Sequence, residues 1–489
     1  MNIFKILKNE YFWLGLILLA AFLVRLYRID APIADWHSWR QADTAAVSRN
    51  FIKEGFNPLI PKYDDMSGVA EKPLVNSLGF RFVEFPVYNI FVYPMYLLFG
   101  VNDALSRLVS VFFSLGSIVF VYLISKKYLV VLTALLAAFI YALLPFNVFF
   151  SRTTLPEPTF LFFALGMLYF MDRWIWDNKI NSASWGFIFT TIAFLIKPWA
   201  IFFYLPLMYS VFIKRGRQFF FKKFIPLTIL AVVPFVLWRM WILQQPQGVP
   251  ASNWLLNGDG IRFRPAFFWW IISERMGREI LGVSGFALFI IGILVRPLKS
   301  YFLHVWLLSM VLYFVVFATG NVRHNYYQII FVPIAAIFIS YGFSYLFNRS
   351  KDLLPRVWMI PLAFFLLLSM FYFTYKIDKE FYKINNPAIV EVGDVADKIL
   401  PKDAIVLAPY NGDTAFLYQI NRRGFPVAIL PASEMVSDYG VTHYVSTTLD
   451  SKTTWVMRHF KILVETPNYV IADLTKITLP LDDRQDPEP

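Results

Sequence analysis

Phe85-Pro86-Val87-Tyr88-Asn89-Ile90-Phe91-Val92-Tyr93-Pro94-Met95-Tyr96-Leu97-Leu98-Phe99 is the apolar run on which the arrangement of the rest of the chain turns. As a helix it would reach about 22 Å, short of a hydrocarbon core about 30 Å thick. If it crosses a bilayer, every later loop changes side. If it lies along or dips into one face, none does.

Eleven other apolar runs accompany it, at 11–27, 104–125, 129–148, 158–174, 182–196, 198–213, 224–243, 283–296, 301–318, 326–347 and 354–376. With 85–99 not crossing, the short loops on one side carry Lys126/Lys127, Arg173/Lys179, the cluster Lys214 to Lys223, Arg296/Lys299 and Arg349/Lys351/Arg356. Excess Lys and Arg marks cytoplasmic loops, so charge selects this arrangement. About eleven crossings follow, or twelve if 85–99 spans. Lys5 and Lys8 precede the first run, Arg25 and Arg28 close it, and no small-residue cleavage site follows. It reads as an uncleaved first transmembrane helix with a cytoplasmic N-terminus.

Composition agrees with a multi-pass protein of a cell (inner) membrane. The chain of 489 residues is 58% hydrophobic and 16% charged, with a mean hydropathy of +0.54, where soluble domains carry about 25% charge. The net charge of +12 sits in the loop clusters, which excludes nucleic acid as a partner and leaves membrane lipids. The absence of cysteine removes disulfides, thiolate metal sites and thiol nucleophiles.

The sequence thus predicts an α-helical polytopic domain over 1–377, with an outer catalytic loop at 29–84 and an outer interfacial loop at 244–282. The second loop interleaves Trp254, Trp269 and Trp270 with Arg262, Arg264, Arg275 and Arg278, as a helix lying in the interface would. Residues 378–489 read as a small extracytoplasmic α/β domain, with helices at 387–400 and 413–420, strands at 404–407 and 427–430, and a disordered tail from Asp482.

The outward stretches hold the ionisable residues. Asp35-Trp36-His37-Ser38-Trp39-Arg40-Gln41-Ala42-Asp43-Thr44 is the densest, and Glu84, Arg152, Glu157, Lys197, Arg323, His324 and Tyr327 stand at helix ends on the same side. Charges near membrane depth are costly and tend to be functional. Cations hold a phosphate, and a carboxylate takes a proton from a nucleophile. Each has a plainer reading as well. Asp35 suits a helix N-cap, and Asp43 an ion pair with Arg40 three residues earlier. Glu84 and Glu157 suit the first turn of a helix, Lys197 a snorkelling side chain, and Arg323 and His324 an interfacial belt. His37 lacks the companions of a metal site.

In their order along residues 10–350, these features resemble the polyprenyl-phosphate-sugar-dependent membrane glycosyltransferases of the C-type fold, which include protein O-mannosyltransferases and lipid A aminoarabinose transferases. The resemblance rests on the Asp35 to Thr44 loop, Glu84-Phe85-Pro86-Val87-Tyr88, Phe99-Gly100, Arg107, Arg152 with Pro156-Glu157-Pro158, Lys197-Pro198, and His324-Asn325-Tyr326-Tyr327. Many relatives carry an adjacent Asp-Glu pair where this chain has acids eight residues apart.

The resemblance implies transfer of a sugar from a polyprenyl-phosphate donor to an acceptor hydroxyl at the outer face, with inversion. Asp43, or else Asp35, would be the catalytic base. His37, Arg40, Glu84, Arg152, Glu157, Lys197, Arg323, His324 and Tyr327 would bind substrate. A divalent cation, Mg²⁺ or Mn²⁺, fits the acids without any spacing that demands it. The acceptor, a glycan, lipid or protein, is not legible. The rival reading is a transporter or flippase of a lipid-linked or anionic solute, which usually shows internal symmetry absent from this chain.

Overall fold

Every one of the eleven apolar runs is helical in the computed structural model, which describes residues 9–70, 74–348 and 355–480. Lys5, Lys8, Arg349, Lys351 and the tail from Asp482 lie outside the described residues. Among the described residues, three helices are long and apolar enough to cross a membrane unaided, Asp103–Tyr128, Arg217–Ile242 and Val357–Ile399. Pro265–Ile280 and Gly282–Leu294 pass the same test only as a pair, which is bent by 112°. Gly282 supplies the positive φ of 61° at that bend, a conformation glycine adopts without a Cβ penalty.

Proline accounts for the shorter pieces. Pro145 starts a new helix after Val131–Leu143, and Pro198 separates Ile180–Ile196 from the 3-10 turn Pro198–Phe203 and the helix Tyr204–Lys214. The residue before a proline is pushed out of the helical region, and Lys197 is accordingly extended at φ −149° and ψ 130°. The ambiguous run becomes the 13-residue helix Val87–Phe99, whose last residues Leu97, Leu98 and Phe99 are exposed and apolar.

The chain divides into two compact units. The first comprises Met1–Ile29, Arg107–Trp238 and Ser252–Tyr382, and holds most of the apolar helices. Its helices approach closely where Gly292 faces the Phe338 carbonyl and Gly342 the Leu288 carbonyl, positions with no room for a Cβ. The second comprises Asp30–Ser106, Arg239–Ala251 and Lys383–Pro489. The C-terminal segment therefore shares a compact unit with the outer loop and with the helix Val87–Phe99.

That second unit is built on a five-stranded sheet of order β2-β1-β3-β5-β4, with β1 Ile405–Leu407, β2 Arg423–Phe425, β3 His443–Ser446, β4 Phe460–Glu465 and β5 Val470–Ile477. β1 runs parallel to β2 and β3, while β5 is antiparallel to β3 and β4. The helices Pro387–Ile399 and Ala415–Ile420 fall where the sequence places them. The strand expected at 427–430 does not form. Pro426 lacks an amide for the ladder, and the strand lies just before it.

Beyond β2 the outer loop continues the sheet, since Gly424 N–H donates to the Asp64 carbonyl at 2.9 Å and Met66 N–H to the Gly424 carbonyl at 2.8 Å. The helix Ser38–Glu54 packs on the same core through Ala42, Ala45, Ala46 and Phe51, against Phe416, Leu417 and Ile420.

The sidedness read from charge is testable in this cysteine-free chain. Ser77, Asn181 and Ser252 are exposed. An impermeant thiol reagent applied from outside is expected to label Ser77→Cys and Ser252→Cys and to leave Asn181→Cys unmodified. Labelling of Asn181→Cys alone would reverse the assignment.

Candidate functional site

The candidate residues divide between the two units. In the second unit they cluster on the helix Ser38–Glu54, whose polar residues are largely buried. His37 sits at its N-cap in the left-handed region at φ 55°, and its carbonyl accepts from Arg40 and Gln41 N–H. Asp35 is therefore not the N-cap. Its Oδ1 instead accepts from Gln41 Nε2 at 2.6 Å, and its carbonyl accepts from Asn385 Nδ2 at 3.0 Å.

Arg40 and Asp43 do not pair with each other. Arg40 Nη2 bridges both oxygens of Glu84 at 2.7 and 2.8 Å, so Glu84 serves a guanidinium rather than the first turn of the helix that starts at Val87. Asp43 Oδ2 accepts from Arg81 Nη2 at 2.6 Å, and its Oδ1 from Thr414 Oγ1 at 2.6 Å. Further along the helix, Arg49 pairs with Asp64 and lies over the Tyr418 ring at 4.1 Å. Both Asp43 oxygens are thus occupied, with the carboxylate 4% exposed.

A second acid lies within the field of Asp43. Burial pushes the Asp65 carboxyl up to about 6, the Asp43 charge adding to a rise that hydrogen bonds from Ser67 oppose. Asp413, which accepts from Ser38 Oγ at 2.9 Å and from Ala415 N–H at 2.8 Å, is raised by burial too.

In the first unit, Lys197 and Glu157 meet. Lys197 Nζ is 2.9 Å from Glu157 Oε1 and 4.5 Å from the centre of the Trp199 ring. Both side chains are buried, and neither Glu157 oxygen is aligned with a hydrogen-bond donor among the described residues. Trp199 packs edge-on against Tyr327 at 4.9 Å, Tyr327 against Tyr326 at 4.4 Å, and Tyr326 stacks on His324 at 5.7 Å. Trp254 closes this aromatic wall 5.8 Å from His324.

Burial, with the Arg275 and Arg323 charges beside it, lowers His324 to about 4, so it is a neutral imidazole at pH 7. Arg323 is bonded to Asp259 at 3.1 Å, and Arg152 donates to the Arg28 carbonyl at 3.0 Å while lying 4.5 Å over Tyr382. Within this unit Glu157, Lys197, Tyr327 and His324 thus line one aromatic wall, Arg323 is held by Asp259, and Arg152 belongs to the packing around Tyr382.

Sequence reasoning missed Arg81, Thr414 and Asp259. Arg81 stands three residues before Glu84, and the equal demand of two buried acids for cations is the signal that would have found it. Thr414 lies 371 residues from Asp43 and leaves no such trace. Among the described residues, no three His, Cys, Asp or Glu side chains gather as metal ligands.

A sequence model of the dolichyl-phosphate-mannose-protein mannosyltransferases matches residues 84–241, a span containing Glu84, Arg152, Glu157 and Lys197. Among solved structures, ArnT from Cupriavidus metallidurans bound to undecaprenyl phosphate superposes with a TM-score of 0.65 at 11% identity, over 94% of this chain and 97% of that one.

The chain has the C-type glycosyltransferase fold.

Two further C-type structures align as well. The archaeal oligosaccharyltransferase AglB from Archaeoglobus fulgidus, in complex with an inhibitory peptide and a dolichol-phosphate, gives a TM-score of 0.55 at 12% identity over 97% of this chain and 75% of that one. The arabinofuranosyltransferase AftD from Mycobacteria gives 0.54 at 11% over 94% and 41%. No curated protein sequence matches the chain significantly. The resemblance read from the loop and helix-end motifs is borne out, and the protein is a membrane protein of this C-type architecture.

The raised Asp65 makes a pH-dependent prediction. An unfolded aspartate titrates near 3.9, so between about 4 and 6 the folded state holds the extra proton. The penalty for ionising the buried group grows through that window and is complete above it. Asp65→Asn is expected to raise the unfolding temperature in detergent at pH 7.5, by an equivalent of about 1–3 kcal/mol, and to leave it unchanged at pH 4. A pH-independent difference would contradict the assignment.

Proposed function

We propose that the protein transfers a sugar from a polyprenyl-phosphate donor to an acceptor hydroxyl at the outer face of the membrane, with inversion at the anomeric carbon. One observation carries this reading: a buried lysine stands against a carboxylate without aligned donors beside an aromatic wall, in a C-type fold. Two aligned C-type proteins have structures with undecaprenyl phosphate and dolichol-phosphate, and such donors are what the apolar first unit suits.

Departure of the lipid phosphate leaves a second negative charge on it, which a cation in a low-dielectric site stabilises strongly. Lys197 takes that role. Neutral His324 offers a hydrogen bond rather than charge, and Arg323 and Arg152 are already bonded to Asp259 and to the Arg28 carbonyl. Glu157 holds Lys197 and is placed to accept from a sugar hydroxyl, with Trp199 and Tyr327 beneath the sugar ring.

The acceptor hydroxyl must lose its proton as it attacks, and a carboxylate supplies that base. Asp43 is committed to Arg81 and Thr414 through both of its oxygens, a bonding pattern that fixes its position. Asp35, at the head of the same segment and held by Gln41, is assigned as the base, and Asp43 as the residue that positions the loop. His37, Arg40 and Glu84 shape the acceptor side of this loop. Asp43, Glu84 and Asp64 each neutralise an arginine, which leaves these three acids unsuited to a divalent cation. No step here runs through a metal.

The test is turnover of a panel of polyprenyl-phosphate sugars by purified protein. Asp35→Asn should lower kcat by about 10²–10⁴-fold, Lys197→Ala should abolish donor release, and product NMR should show an inverted anomer. Chelation should leave the rate unchanged. Passage of labelled lipid across liposomes without donor consumption would replace this reading by a transporter.

A further inference from the structure

The C-terminal end of the helix Ser38–Glu54 borders a part of the second unit that the reaction above does not use. A hollow of about 410 Å³ lies between that helix end and the starts of β1 and β2, and a smaller one of about 150 Å³ adjoins it, the two sharing Asn50 and Glu54. Together they form a polar groove along the helix end.

The charges around this groove do not balance. Glu54 accepts from both Lys62 and Arg423, Asp397 from both Arg422 and Lys402, and Asp64 is tied to Arg49. Asp403 lines the larger hollow as the one further acid among the described residues. Five cations, Lys53, Lys62, Lys402, Arg422 and Arg423, thus line the two hollows with three acids, Glu54, Asp64 and Asp403. Lys53 belongs to the surplus, since its Nζ donates to neutral acceptors, Asn421 Oδ1 at 2.6 Å and the Asn421 carbonyl at 3.2 Å.

Burial and the nearby Arg49 and Arg422 charges bring Lys53 down to about 8, against the opposing pull of Asp64 and Asp397. Ser77 and Asn57 add side chains that bond hydroxyl groups. A polar groove with an excess of cations matches a chain of hydroxyl-rich units carrying an occasional negative charge.

We propose that this groove binds an anionic saccharide, with Lys53 pairing with its carboxylate or phosphate substituent. Resting on the glycosyltransferase reading, this makes the acceptor an acidic glycan. Lys53 lies ten residues beyond Asp43 on one helix, about 15 Å along its axis. The assigned base, Asp35, lies beyond the other end of that helix, about 22 Å from Ser38 to Lys53 along the axis, so an acceptor seated at Lys53 reaches it only across more than one sugar unit.

Equilibrium binding to the purified full chain in detergent, without donor, tests the site. The probes are an oligomer of galacturonic acid, a phosphorylated oligosaccharide, a neutral maltooligosaccharide of equal length, and inorganic phosphate. The acidic oligomers should bind more tightly than the neutral one, the tighter of the two naming the substituent, and added salt should weaken both. Lys53→Ala should weaken binding by about tenfold or more, and Lys53→Arg should restore most of it.

Equal affinity for neutral and acidic oligomers overturns the proposal. So does a Lys53→Ala variant of unaltered melting temperature that binds as the wild type does. Inorganic phosphate competing as tightly as the oligomers would mean a small-anion site and overturn the saccharide. Saccharide binding with no sugar transfer would sink the enzymatic reading instead.

Discussion

The pairing of buried charge along the helix Ser38–Glu54 is the constraint on which the second unit depends. Thirteen of its 17 residues are buried, among them Arg40, Asp43 and Arg49. Removing one partner of such a pair leaves an uncompensated charge and costs about 3–5 kcal/mol. Each of the three meets its opposite from the loop that follows, Glu84, Arg81 and Asp64 respectively. The helix cannot leave its place without exposing or orphaning all three. The loop is therefore fixed by specific partners rather than by its modest apolar content.

The sheet supplies the other half of that fixation. Gly424 lies under the Val406 backbone with no room for a Cβ, and its own amide and carbonyl extend the ladder to Asp64 and Met66. Asp64 thus serves twice, once through its carbonyl in the ladder and once through its carboxylate at Arg49. Thr414 on one side and Arg81 on the other then hold Asp43 by both oxygens. A carboxylate placed this way is a fixed reference point for its neighbours, which suits the positioning role proposed for it.

What the sequence discloses follows the range of the interaction. Apolar runs, proline breaks and the C-terminal helices depend on neighbours within a few turns, and they were legible. The strand misplaced at 427–430 shows the limit of that rule, because Val427-Ala428-Ile429-Leu430 has the right composition while Pro426 ends the ladder one residue earlier. The Arg40–Asp43 pair expected from helical spacing lost to Glu84 and Arg81, which are each about forty residues distant. No period or spacing encodes a partner that the chain brings back only by folding.

Lys197 shows how a local signal can nonetheless mark a site. Pro198 forbids the helix to continue, so the chain must present Lys197 in an extended conformation at a break between two apolar helices. Pro156 and Pro158 bracket Glu157 in the same manner at the start of its helix. A break within an apolar segment leaves backbone groups unsatisfied unless protein or a polar cavity surrounds them. Charged residues beside such breaks are thereby placed where water is scarce and a phosphate gains most from a lysine. Proline spacing therefore marks the proposed site in the first unit more sharply than any single charge does, since it states both where the helix stops and which side chain is left at its end.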